Sequence, residues 1–127
     1  MSHGIWKELA TPFDTALERL PAALGEQGFG VISQVDLGAT LRTKLGTDIG
    51  RYLIFGACNP AFAHDAVTRD PRIGVLLPCN VVLYERPDGK AVLGAIDPMQ
   101  SVGADPAFAD IASDIATRLS NVLAAIP

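Results

Sequence analysis

The chain has 127 residues, 49% of them apolar and 19% charged, with a formal net charge of −4. This is enough for one domain, residues 1–127, whose core needs no disulfide or structural metal, and too little charge for disorder. Ten scattered Lys and Arg against 14 Asp and Glu exclude a nucleic-acid surface, and no apolar run approaches the ~20 residues of a membrane span.

Ile5–Leu9 reads as a first strand. Thr11-Pro12-Phe13-Asp14 then starts a helix with a hydroxyl cap, a proline in the first turn and an acid three residues on. Phe13, Ala16, Leu17, Leu20 and Leu24 form its apolar stripe. Pro21 lies inside that pattern and is expected to kink or split the helix near Leu20, with Gly25 or Gly28 ending it. Phe29–Asp36 is a strand with Phe29, Val31, Ser33 and Val35 on one face. Leu37–Leu45 is a short helix stopped by Gly46, and Arg51–Cys58 the next strand.

Asn59-Pro60 opens a further helix, Asn as cap and Pro at the first position, which Asp70-Pro71 ends. Val75–Glu85 is strand-like, interrupted by Pro78. Pro87-Asp88-Gly89-Lys90 is a hairpin turn into Ala91–Ile96, because Asp-Gly supplies the positive φ of a tight turn. Asp97-Pro98 stops that strand. A last helix begins at Asp105-Pro106 with the stripe Phe108, Ile111, Ile115, Leu119, Val122 and Ile126.

The order β-α-β-α-β-α-β-β-α ends its strands in a hairpin, which gives an α+β fold: two layers, a mainly antiparallel sheet, helices on one face. The other face needs solvent or a partner. Strands Phe29–Asp36 and Val81–Tyr84 carry apolar residues on both sides, so a second copy, a homodimer, is expected.

The chemistry-bearing signal is a repeated Cys-Asn pair. Cys58-Asn59 and Cys79-Asn80 each close an apolar run beside a proline, and these are the chain's two cysteines. With no export signal they read as reduced thiols of a cytoplasmic protein. Cys58 lies just before a helix N-terminus, where backbone N–H groups favour a thiolate, while Asn59-Pro60 is also fully explained as a cap. Alternation puts Cys79, Val81 and Leu83 on one face and Asn80, Val82 and Tyr84 on the other. Asn80 then needs amide partners or serves the irregularity at Pro78.

Gly28-Phe29-Gly30-Val31, Gly56-Ala57-Cys58-Asn59-Pro60, Leu76-Leu77-Pro78-Cys79-Asn80-Val81-Val82 and Ala95-Ile96-Asp97-Pro98 resemble the family called domain of unknown function 302, over roughly residues 13 to 125. The resemblance implies a small α+β fold of the TATA-binding-protein-like or helix-grip type, commonly dimeric. It further implies a bacterial or archaeal cytoplasmic protein without an established activity. Its pattern falls here on Cys58, Asn59, Pro60, Pro78, Cys79, Asn80, Asp97 and Pro98.

If the two strands are neighbours, Cys58, Asn59, Cys79 and Asn80, with Asp97 at a strand end, are candidates to line one pocket for a small ligand or soft metal ion. The spacing is not Cys-x-x-Cys, and a closed zinc site needs four ligands, with His64 and Asp97 as the extras. The cofactor stays open. The leading expectation is a non-catalytic binding module, since a nucleophile needs a nearby base and His64 is poorly placed. The alternatives are a thiol redox sensor or enzyme using Cys58, and a purely structural or partner-binding domain. Nothing resembles a phosphate-binding loop or a serine nucleophile elbow.

Overall fold

A computed structural model describes residues 3–127. In it β1 (Gly4–Glu8), α1 (Phe13–Glu26), β2 (Gly30–Asp36), α2 (Leu37–Leu45), β3 (Tyr52–Cys58), α3 (Pro60–Arg69), β4 (Cys79–Glu85), β5 (Ala91–Ile96) and α4 (Ala109–Ala125) follow in order, with short 3₁₀ turns between α3 and β4 and between β5 and α4. The five strands form one antiparallel sheet in the order β1-β5-β4-β3-β2. This is the α+β architecture, with the element order, that the sequence implied.

The core is built by period-two strands facing period-3.6 helices. Leu53, Phe55 and Ala57 of β3, Cys79, Val81 and Leu83 of β4, and Ala91, Leu93 and Ala95 of β5 are buried on one side. Against them lie Phe13, Ala16, Leu20 and Leu24 of α1 and Ile111, Ile115, Leu119 and Val122 of α4. Lys7 donates from Nζ to the carbonyls of Leu123 and Ile126, so a cation serves the negative end of α4 and ties it to β1.

On the opposite face Trp6 lies across Gly94, its register partner on β5, and Tyr52 stacks on Tyr84 with ring centroids 5.3 Å apart. Trp6 and Val35 remain 45% and 47% exposed there.

Four local expectations are corrected. Pro21 does not split α1, which runs unbroken from Phe13 to Glu26. Pro21 is on the exposed side, where water can serve the carbonyl that its missing N–H leaves free. Thr11 is no cap. Pro12 holds that position, and the Thr11 hydroxyl donates to the carbonyl of Pro127, pinning the two ends of the helical layer. The strand expected from Val75 begins only at Cys79, because Pro71–Leu76 is a 3₁₀ turn capped by the Asp70 carboxylate on the Arg72 N–H. Asp70-Pro71 is thus a start signal as well as a stop, and it leaves Val75 86% exposed. Finally, β2 does not keep one alternation. A bulge between Val31 and Ser33 puts Val31 opposite Ala57 but Ser33 and Val35 opposite Gly56 and Ile54, on the other face.

Candidate functional site

A helix cap and a strand-starting proline deliver the cysteines to one place. Asn59 is extended, and its Oδ1 accepts from the Phe62 N–H at 3.4 Å; with Pro60 in the first turn, α3 starts immediately after Cys58. Pro78 follows the 3₁₀ turn and cannot donate to the ladder, so β4 begins at Cys79, opposite Ala57 of β3. The ends of β3 and β4 carrying the thiols are therefore adjacent, as the pocket expectation required.

Between those ends and helices α3 and α4 lies a cavity of about 210 Å³. Cys58, Asn59 and Cys79 line it, together with Phe29, Phe62, Ala66, Leu77, Ile111 and Ile115. The void has a sequence origin. Phe62 and Ala66 on α3 face Ile111 and Ile115 on α4, both pairs at i, i+4, and α3 presents Ala63 and Ala66 where a larger residue would fill the gap. Arg69 closes the far end of the two helices. It forks onto both oxygens of Asp110, also meets Asp65, and holds the Asp110 carboxyl down to about 2. Ile32, the residue inside the β2 bulge, borders the cavity while 65% exposed, so an entrance lies beside the β2 edge.

The other two candidates are elsewhere. Asn80 is exposed on the opposite sheet face, in a shallow groove with Trp6, Val82, Gly94 and Ile96, because alternation along β4 turns it away from Cys79. Asp97 caps the turn after β5, accepting from the Met99 N–H at 3.0 Å, and does not border the cavity. His64 is exposed on α3, away from both thiols. Among the described residues no group of three or more His, Cys, Asp or Glu is gathered as a metal site. The polar lining was legible in the sequence and the apolar walls were not. The alanines on the inner face of α3 were the available signal.

Cys79 is a poor nucleophile. Burial first, and the neighbouring Cys58 second, push its thiol from the ordinary 9.0 up to about 11. The folded protein thus holds this proton more tightly than the unfolded chain. The stabilisation is complete below pH 9 and is lost as pH climbs to 11, about 2–3 kcal/mol in all. Urea unfolding at pH 8 and pH 11 should show this fall in the native chain and a smaller one in Cys79→Ala. Equal falls in both would place the titration elsewhere.

No helix of the described residues is long and apolar enough to cross a membrane. No curated protein matches the chain. A crystal structure of an uncharacterized conserved protein from Bacillus stearothermophilus, a DUF302 protein, superposes with a TM-score of 0.90 at 31% identity, covering 100% of both chains. The family described as domain of unknown function DUF302 matches residues 5–126, nearly the whole sequence. The chain belongs to the DUF302 family.

Proposed function

We propose that the protein is a non-catalytic binding module that takes a small apolar molecule into the cavity where Cys58, Asn59 and Cys79 meet. The observation that carries this reading is a void of about 210 Å³ walled mostly by aliphatic and aromatic side chains at the junction of two sequence-specific blocks. An apolar space of this kind favours binding by removing ligand surface from water. Two thiols and one amide fall short of the four ligands of a closed zinc site, so a metal is the weaker occupant. The thiol-enzyme alternative lacks a base at the cavity, and Cys79 stays protonated at neutral pH.

A titration with ethylbenzene tests the binding reading. The native melting temperature should rise with ligand, by the equivalent of about 2.7 kcal/mol at a hundredfold excess over Kd. Ala66→Leu, which fills the void from α3, should fold but no longer respond. Equal responses from both proteins, or none from the native one, would rule out the cavity as the binding site.

The protein acts as a homodimer in this reading, the second copy covering the sheet face that carries Trp6, Val35, Ile54 and Val82. Sedimentation at micromolar concentration should give twice the chain mass, and Trp6→Asp with Val35→Asp should return it to the monomer. A native monomer would end this part of the proposal.

A further inference from the structure

Resting on the binding reading, the polar rim of the same cavity narrows the ligand class. We propose that the ligand is a small organic monocarboxylic acid, its one-ring or short aliphatic body in the cavity and its carboxylate at the rim on Arg118 and Asn59.

Size fixes the body. An apolar cavity of roughly 150 Å³ accepts benzene, so about 210 Å³ accepts a ring with a few more carbons. The wall has no charged side chain, and apart from the thiols its polar side chain is Asn59. A charged head in the middle of such a wall would be left without partners at high cost, so the head belongs at the edge where Asn59 stands.

That edge is rich in unused donors. Asn59 spends Oδ1 on the cap of α3, while its Nδ2 donates to no protein group among the described residues. Arg118 follows Ile115 by one turn on α4 and holds its guanidinium carbon 5.3 Å from the centre of the Phe62 ring, whose other surroundings include the cavity. Both side chains converge on Gly28. A Cβ there would sit 2.9 Å from Asn59 Nδ2 and 3.8 Å from Arg118 Nη1, and its φ of +83° suits glycine. The absent side chain lets both side chains close on the Gly28 backbone, which brings the two nitrogens near each other at one edge of the cavity.

Arg118 is also incompletely used. Nη1 donates to the Gln27 carbonyl at 3.1 Å, and no acceptor serves Nη2 among the described residues. Nε is enclosed without a hydrogen-bond partner, the one such side-chain atom among the described residues, although Asp114 Oδ1 lies 3.4 Å away. Nε is thus closed off against Asp114, and Nη2 is the arm left to take an anionic group. Asp114 already offsets part of the cation, so the rim suits one negative charge rather than two.

Calorimetric titration with 3-phenylpropionate, 3-phenylpropan-1-ol and propylbenzene tests the class. The native protein should bind the acid about tenfold more tightly than the alcohol at low salt, with the margin shrinking as salt rises. Arg118→Gln should abolish that margin and leave propylbenzene binding unchanged. Asn59→Asp should do the same, since Asp still caps α3 but places a negative charge at the head position; it carries the test if Arg118→Gln does not fold. An acid bound no better than the alcohol, with propylbenzene bound, overturns the carboxylate proposal and spares the cavity. Failure of all three probes overturns both.

Discussion

Leu83→Ala should lower the stability of the protein by about 3–5 kcal/mol, the loss expected for truncating a leucine at the centre of a close-packed core. Leu83 is fully buried at the middle of β4, paired with Leu53 on one side and Leu93 on the other. Truncation removes apolar surface from the centre of the sheet and leaves a void that neither neighbouring strand can close without breaking register. The contrast is Val75→Ala, a residue exposed on the 3₁₀ turn, which should change stability by less than about 0.5 kcal/mol. Urea midpoints for the two variants measure this directly. A comparable loss in both would mean that the apolar run before Pro78 is core and that the assigned start of β4 is wrong.

Gly56→Val should cost about 3 kcal/mol, near the upper end for overpacking, and with it ligand binding. Gly56 opens the first cysteine block, two residues before Cys58, and lies opposite Ser33 of β2 and Asn80 of β4. A Cβ at this position would run into Ser33 Oγ and come within 2.7 Å of Pro78 Cγ. Relief requires moving either the β2 bulge or the proline that sets the start of β4, and both border the ends of strands that wall the cavity. The melting temperature should fall by about 12 °C, taking roughly 4 °C per kcal/mol for a domain of this size. A variant that melts within a few degrees of the native chain would show that this crossing is loosely packed.

Those two positions illustrate what the sequence could and could not reveal. Leu83 was legible because β4 alternates cleanly, Cys79, Val81 and Leu83 inward against Asn80, Val82 and Tyr84 outward. The same alternation already implied that Asn80 could not share a pocket with Cys79, yet the Cys-Asn repeat suggested that it would. The repeat marks two different devices: Asn59 is a helix cap at the cavity, and Asn80 is an exposed strand residue on the far face. Gly56, by contrast, reads as an ordinary glycine in an apolar run. Its role depends on Pro78 arriving from a segment more than twenty residues away, a contact that no local pattern encodes.

The β2 bulge was hidden for a similar reason. Gly30-Val31-Ile32-Ser33 is continuous apolar-to-small sequence, and nothing in it announces that one residue will be left unpaired. The cavity itself is a property of volumes. The stripe on α4 was visible at helical spacing, but the missing side chains of Ala63 and Ala66 become an empty space only once Ile111 and Ile115 face them. Arg118 went unnoticed because its significance is positional, one turn beyond the lining of α4 and against Phe62 of α3.

In the binding reading the two cysteine blocks border an apolar space able to hold a guest. Diffraction from a crystal held under xenon pressure tests it most directly, because xenon enters apolar voids without needing a polar partner. A xenon atom is expected among Phe62, Ala66, Cys79, Ile111 and Ile115, and none there in Ala66→Leu. Xenon found only in the groove beside Trp6 and Asn80, or bound equally in both proteins at the proposed site, would contradict the claim.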